Sequence, residues 1–437
     1  MRRRLLAVGA ALTALLAVFG IWQLQMGVAQ ADRSDRPGFS VDPFWPKPLP
    51  HQWQIGQVPG IAVDRDDNIW IVQRPRTLTN DERGASDFNV PVAPQPSTDL
   101  DGAARPQGSI SDCCLPAPSV MQFDRKGNLL QAWGGPVDPT KCVETGSDAT
   151  TCQWPNTEHG IYVDHNMNVW LGGQAGRAVL KFTADGTFLL QIGRRVPAPA
   201  SAPVSNDTDG GVNGTPLLGQ PADMEVDPET NELYIADGYT NHRVIVVDAD
   251  NGMYKRHWGA YGQRPVDDVG ANAVGAYIKN QPPAPHFRNP VHAVRITNDG
   301  LVYVADRVND RIQVFDKRTA GTTDCQNPTG APGVCGFVGE FFVATDTLGP
   351  GSTWDIDVSA DNKQKFLYNA DGSNNYVWTL LRKTGAILGT FGRNGRSAGQ
   401  FHWVHNMAVD SKGNLYTAEV DTGKRVQKFM QNESDRD

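Results

Sequence analysis

One pattern recurs six times along this chain, and it constrains the fold more than any other feature of the sequence. Each copy has an apolar strand, a polar turn, a second apolar strand, another turn and a third strand. Alternating apolar residues bounded by Asp, Asn and Gly turns predict antiparallel β-meanders. The copies begin at Gly60, His159, Ala222, His292, Trp354 and His405.

The spacing of the copies indicates one propeller blade per repeat. The residues that open the first turn of each copy are Asp64, Asp164, Asp227, Thr297, Ser359 and Asp410. The successive steps are 100, 63, 70, 62 and 51 residues, and about fifty residues is the length of a four-stranded blade. The last copy, GQFHWVHNMAVDSKGNLYTAEVDTGKRVQKF, resembles the NHL repeat. We therefore predict an all-β, six-bladed, NHL-like β-propeller.

Insertions account for the longer steps. They run from Leu78 to Ala117, from Val196 to Gly219 and from Tyr261 to Pro285, and none has a periodic apolar pattern. We expect them to be loops at one mouth of the propeller, where access to a ligand is controlled. Residues 37 to 57 are expected to supply the outer strand that closes the ring.

The N-terminus has the features of a secretory signal. Arg2 to Arg4 form a basic segment, Leu5 to Ile21 an apolar segment, and Ala29 to Ala31 a small-x-small cleavage site. We predict a signal peptide at residues 1–31, a propeller domain at 32–437, and export to the periplasm or outside the cell, with no stable membrane insertion after cleavage. The alternative is an uncleaved N-terminal membrane anchor.

Cysteine usage fits an oxidising compartment. The six cysteines lie in loop-like surroundings: Cys113, Cys114, Cys142, Cys152, Cys325 and Cys335. The last four are predicted to form two local disulfides, in chain order, whereas the adjacent first two are not expected to bond to each other. No Cys-x2-Cys pair supports a cysteine zinc site. The net charge of −8 gives no electrostatic support for a nucleic-acid partner.

Histidine falls at one repeat position in every second copy. The residues five positions before the turn-opening residues are Pro59, His159, Ala222, His292, Trp354 and His405. Alternate blades of a six-fold ring lie 120° apart, so these imidazoles would converge on the axis. A lone histidine at such a position is usually a packing residue, but three at one repeat position predict a shared metal ion. Three histidines with an open fourth position suit catalytic zinc, and other divalent transition metals also accept them.

A second set of polar residues follows the second strand of several copies, near the same mouth. It includes Arg74, Tyr239 and Arg307. A phenol beside a metal ion and an arginine is a candidate general base. Tyr239 could equally pack in a turn, and the arginines could pair with neighbouring acids such as Asp306.

These residues together resemble the peptidyl-α-hydroxyglycine α-amidating lyase family, from about Gly60 to Phe429. HGIYVD, PVHAVRI and VHNMAVD are similar to the segments that carry the family's zinc ligands, which places them at His159, His292 and His405. LYIADGYTNHR looks like the segment with the catalytic tyrosine, Tyr239, and the family's active-site arginines match Arg74 and Arg307. The resemblance implies cleavage of the C–N bond of a hydroxylated small-molecule or peptide substrate.

Departures from the family are confined to a few positions. The family has an aspartate after its third histidine that, with two backbone carbonyls, holds a structural calcium ion. This chain has Asn406 there, with Ile61 and Ile161 at the carbonyl positions. A neutral amide is a weaker calcium ligand, which argues against that ion. Trp403 replaces a methionine near the zinc and Thr240 a disulfide cysteine, so a differently shaped pocket is expected.

Two other functions are compatible with the same sequence. A metal-dependent hydrolase would hold an activated water at the open position. A non-catalytic propeller would use its long loops to bind a protein or glycan.

Overall fold

The computed structural model describes residues 36–86, 111, 113–143, 151–194, 215–266, 274–323, 325–327 and 329–432. The predicted signal peptide lies outside the described residues. So do most of the first two insertions and residues 267–273 of the third.

The described chain folds into six four-stranded antiparallel sheets, which are the blades of a propeller. Blade one contains β3 (Gln57–Val63), β4 (Ile69–Arg74), β6 (Val120–Phe123) and β7 (Leu129–Trp133). Blade two contains β8 (Glu158–Val163), β9 (Val169–Gly173), β10 (Ala178–Phe182) and β11 (Phe188–Gly193). Blade three contains β12 (Asp223–Asp227), β13 (Glu232–Asp237), β14 (Arg243–Asp248) and β15 (Tyr254–Trp258).

The second half of the ring repeats this order. Blade four contains β16 (Val291–Ile296), β17 (Leu301–Asp306), β18 (Arg311–Asp316) and β19 (Phe337–Phe342). Blade five contains β20 (Asp355–Val358), β21 (Phe366–Asp371), β22 (Tyr376–Leu381) and β23 (Ile387–Phe391). Blade six contains β24 (Val404–Val409), β25 (Leu415–Glu419), β26 (Arg425–Gln431) and β1 (Phe39–Asp42).

Strand β1 closes the ring. It pairs antiparallel with β26, so that Phe39 faces Gln431, and the N-terminal segment supplies the outer strand as predicted. The inner strands contact one another in the order β3, β8, β12, β16, β20, β24 and back to β3. Outside the blades, β2 (Trp53–Gln54) pairs with β5 (Leu115–Pro116). Short 3₁₀ turns in the described chain lie at Pro50–Gln52, Pro75–Thr77, Asp81–Arg83, Pro139–Lys141, Ala260–Gly262 and Arg307–Asn309.

A buried aspartate fixes the first turn of the repeat in blades one and two. The Asp164 carboxylate accepts hydrogen bonds from the backbone N–H groups of Asn166 and Asn168, both at 2.9 Å, which fixes the turn between the first two strands. Its second oxygen accepts the indole N–H of Trp170 at 2.9 Å, which ties the turn to the blade core. Asp64 makes the same three contacts in blade one. The sequence pattern thus encodes a hydrogen-bonded corner.

The core consists of apolar clusters between the blades. One such cluster joins blades one and two through Trp70, Trp133, Trp154 and Phe182. Another joins blades three and four through Trp258 and its neighbours. Because each sheet is covered by the next, the strands near the axis are largely buried on both faces, whereas the outermost strands are partly exposed.

Three disulfides lie in the described residues. Cys142–Cys152 and Cys325–Cys335 form as predicted. The expectation for Cys113 and Cys114 was wrong, because these adjacent residues are bonded to each other. The peptide bond between them is cis. Disulfides of this number suit an oxidising compartment.

The buried corner gives a stability prediction. Asp164→Ala removes the acceptor for two turn amides and for a buried indole, so we expect a loss of about 2–4 kcal/mol in the free energy of unfolding. Denaturant unfolding followed by tryptophan fluorescence measures it. Asp185→Ala, in an exposed turn of the same blade, is the matched control and should unfold like the wild type. Equal effects of the two changes would contradict the role given to the corner.

Candidate metal centre

The three predicted histidines meet on the propeller axis. His159, His292 and His405 come from the inner strands of blades two, four and six, and one ring nitrogen of each lies within 4.8 Å of the others. Their ring centroids are 4.7 to 5.1 Å apart. All three side chains are buried.

The inner strands that carry the three histidines each have a shift in pairing register. The pairing register shifts at Glu158/Ile161 in blade two, at Val291/Ala293 in blade four and at Val404/Asn406 in blade six. Each histidine lies within the shift. A bulge redirects a side chain that regular pleating would send to a sheet face, and here the imidazoles turn to the axis.

Backbone carbonyls of the odd-numbered blades fix the tautomer of each imidazole. His159 Nδ1 donates to the Ala222 carbonyl at 2.7 Å, and His405 Nδ1 donates to the Pro59 carbonyl at 2.7 Å. His292 Nδ1 donates in the same way to the Trp354 carbonyl. With the proton held on Nδ1, each Nε2 keeps its lone pair free for a metal ion.

A glycine makes this close approach possible in blade two. A Cβ atom on Gly160 would lie 2.6 Å from the Ala222 carbonyl oxygen, the acceptor for His159. Any larger residue would push the neighbouring blade away. The glycine after the histidine in HGIYVD is therefore part of the site.

Electrostatics also suit a metal. Burial lowers the pKa of all three imidazoles well below the usual value, and the positive charge of Arg74 or Arg307 adds to the effect. Neutral imidazole is the form that binds metal ions. The neutral, tautomer-fixed and convergent donor set therefore fits a divalent transition metal such as Zn²⁺, but it does not select among such metals.

Tyr239 lies beside the imidazole nitrogens. Its hydroxyl oxygen is 2.9 Å from His159 Nε2 and 3.1 Å from His292 Nε2. It is held at the start of the turn after β13, where its backbone N–H donates to the Gln220 carbonyl. The structure thus brings the predicted phenol into contact with the ligand atoms.

Both predicted arginines flank this phenol. Arg307 Nη1 is 3.4 Å from the Tyr239 hydroxyl, and its guanidinium lies 4.4 Å from the Trp354 ring centroid. The alternative pairing of Arg307 with Asp306 was wrong, because Asp306 bonds to Arg311 at 2.7 Å. Arg74 is fixed by the Glu158 carbonyl at 2.7 Å, and it interacts electrostatically with Tyr239.

Two tryptophans form an aromatic wall beside the centre. The Trp354 ring contacts His292 and His405 at 5.8 and 5.6 Å between centroids. Trp403 packs edge-on against it at 5.3 Å and is 37% exposed. Sequence reasoning placed Trp354 only as a non-histidine member of the column and missed that its carbonyl and its ring both support the site.

Comparisons with known proteins find amidating enzymes and an NHL-repeat protein among the relatives of this chain. The chain is 32% identical over 162 residues to peptidyl-glycine alpha-amidating monooxygenase B of Xenopus laevis, covering 37% of this chain and 15% of that protein. It is 23% identical over 327 residues to peptidyl-alpha-hydroxyglycine alpha-amidating lyase 1 of Drosophila melanogaster, covering 70% and 52%. NHL repeat-containing protein 3 of Homo sapiens is 28% identical over 212 residues, covering 46% of each.

The chain is a six-bladed propeller that is similar to the amidating lyases and to an NHL repeat-containing protein. It spans about half or less of the length of these relatives. No protein-family model matches it. Solved propellers of low identity also resemble it, among them a streptogramin B lyase (12% identity, TM-score 0.47, 90% of this chain and 98% of that one) and a Xanthomonas campestris gluconolactonase (12%, 0.48, 92% and 93%).

Within the described residues of this lyase-like propeller, we find no helix of the length and apolar character that a membrane crossing requires.

The convergence of three imidazoles predicts the metal content. We expect purified wild-type protein to contain about one equivalent of divalent transition metal, and His292→Ala to contain little, since two imidazoles bind far more weakly. Elemental analysis after desalting measures both. His51→Ala removes an exposed histidine outside the centre and should keep the full equivalent. A metal-free wild type, or a fully loaded His292→Ala, would contradict the assignment.

Proposed function

We propose that this protein is a metal-dependent lyase. It cleaves the C–N bond of an α-hydroxylated amide group in a small-molecule or peptide substrate. The observation that carries the proposal is the contact of the Tyr239 hydroxyl with two imidazoles of a convergent tri-histidine set. The similarity to proteins named as amidating lyases supports the reaction class.

The ion would be held by His159, His292 and His405, and zinc is the metal we favour. A divalent ion on three neutral imidazoles acts as a Lewis acid, which makes a bound hydroxyl group more acidic. The aromatic wall of Trp354 and Trp403 forms an apolar surface on one side of this position.

Tyr239 would be the general base. Its oxygen is in direct contact with the ligand nitrogens, so a hydroxyl group bound at the centre would lie within proton-transfer distance. Arg307, 3.4 Å from the phenol oxygen, places a positive charge beside it, and its stacking on Trp354 holds the guanidinium in place. Arg74 adds a second positive charge, so the site favours a substrate that carries a carboxylate.

The bond changes balance without an oxidant or a co-reactant. As Tyr239 removes the hydroxyl proton, the O–H electron pair forms the carbonyl of the product. The C–N pair leaves with nitrogen, which takes up the proton that Tyr239 holds. A substrate of the form R–CO–NH–CH(OH)–COO⁻ gives an amide and glyoxylate.

We place this reaction in an exported, oxidising compartment. The three disulfides of the described residues and the predicted signal peptide support that location.

The function is tested with α-hydroxyhippurate. We expect the metal-loaded wild type to release glyoxylate, and Tyr239→Phe to lower kcat about 10²–10⁴-fold because the general base is lost. Glyoxylate is measured directly, and metal content is measured on the same samples to show that the ion is retained. Tyr376→Phe, on the third strand of blade five, is the matched control and should keep full activity.

Three results would argue against the lyase. Turnover of esters or lactones without glyoxylate would favour the metal-dependent hydrolase. Full activity of Tyr239→Phe would remove the tyrosine from the mechanism. A metal-free protein that binds a protein or glycan would favour the non-catalytic propeller.

A further inference from the structure

A second polar layer lies in the central channel beyond the histidines. Its members lie on the inner strands of blades three to six. Each is one or three residues after the repeat position that holds His292 in blade four and His405 in blade six. We call it the channel cluster, and it consists of Asp223, Glu225, Arg295, Asp355, Asp357 and Asn406. All of these residues except Asp355 line a cavity of about 160 Å³.

Arg295 is placed among four carboxylates. Its nitrogens lie 3.5 Å from Glu225, 3.6 Å from Asp355, 3.7 Å from Asp357 and 4.0 Å from Asp223. Its Nε donates to the Ile356 carbonyl at 3.0 Å, which ties blade four to blade five. One guanidinium is therefore shared by acids from the blades on both sides.

The carboxylates also connect neighbouring blades. One oxygen of each acid accepts a backbone N–H from the inner strand of the next blade, at distances of 2.7 to 3.2 Å. The pairs are Asp223 with Val294, Glu225 with Ile296, Asp355 with Met407, and Asp357 with Val409. These hydrogen bonds join the inner strands of neighbouring blades. The acids therefore stabilise the closed ring only while their side chains remain in the channel.

Asn406 does not fit the role of a calcium ligand. Its Oδ1 accepts the backbone N–H of Ile61 at 2.6 Å, and its Nδ2 donates to Asp355 at 2.8 Å. Calcium binds oxygen ligands, whereas this oxygen is already used to join blade six to blade one. The –NH2 group, a donor, faces the acid.

Charge balance requires a cation in this layer. Buried carboxylates are costly unless they are paired and hydrogen-bonded. Burial raises the pKa of Glu225 to about 8, and Arg295 opposes that rise. Burial acts to lower the pKa of Arg295, but the surrounding carboxylates raise it well above its usual value. In the described residues of the cluster, Arg295 is the one cationic side chain.

We infer that the Arg295 guanidinium is the structural cation of the central channel, and that this chain folds and stays closed without the calcium ion implied by its resemblance to the amidating lyases. The inference concerns the channel cluster and does not depend on the proposed reaction.

The wild type gives the first test. The protein is desalted into calcium-free buffer with the metal of the histidines left in place, and its Tm is measured with and without millimolar Ca²⁺. We expect no calcium in elemental analysis and no shift in Tm. Stoichiometric calcium in the protein, or a rise of several degrees on calcium addition, would overturn the inference.

Removing the guanidinium gives the second test. Arg295→Met leaves four acids without a cation, so we expect Tm to fall by about 5–10 °C. The emptied cage should now bind Ca²⁺, and calcium should recover part of the loss. Arg295→Lys keeps the charge and should lose less stability and bind no calcium. Arg318→Met, at an exposed ion pair, is the matched control with no effect expected.

A variant that relieves the charge keeps the test decisive if Arg295→Met does not fold. Arg295→Met with Asp355→Asn has one acid fewer and should fold, with a Tm below the wild type and a weaker response to Ca²⁺ than Arg295→Met alone. An Arg295→Met protein as stable as the wild type in calcium-free buffer would contradict the inference. So would a folded charge-relieved variant with wild-type stability.

Discussion

The contacts between inner strands of neighbouring blades are the constraint on which the rest of this molecule depends. At the histidine column, an imidazole N–H of each even-numbered blade bonds to a backbone carbonyl of the next odd-numbered blade. The same bonds therefore hold blades together and decide which ring nitrogen faces the axis. A structural requirement of the ring and a chemical requirement of a metal centre are met by one set of hydrogen bonds.

The channel stacks two layers of opposite electrostatic character. The upper layer contains the three imidazoles, with the guanidinium of Arg307 beside Tyr239, and under the proposed function it would accept a metal ion and an anionic substrate. The lower layer contains four carboxylates around one guanidinium. Burial makes each layer depend on internal partners, because buried charges are costly unless they are paired and hydrogen-bonded. This explains why single side chains in the channel contact several blades.

Much of the fold and of the site was accessible from the sequence, since both follow a repeat. The turn aspartates, such as Asp164, mark the corners, and the register they define placed His159, His292 and His405 at one depth. Tyr239, Arg74 and Arg307 were located by a second column and by resemblance, and the structure brings all of them to the imidazoles. The disulfide between Cys113 and Cys114 was not predicted, because the position of two adjacent cysteines in the sequence does not reveal the backbone geometry between them.

The sequence by itself determined the blade count, the corners and the alternation of histidines, because these depend on residues a short, fixed distance apart in the chain. Only the tertiary structure decided which backbone carbonyl each imidazole bonds to. It also decided that Asp306 pairs with Arg311, so that Arg307 contacts the Tyr239 hydroxyl instead. It placed Arg295 among the acids of blades three and five. These contacts join residues from different blades or compete for one partner. Their outcome depends on how the closed ring brings separate strands together.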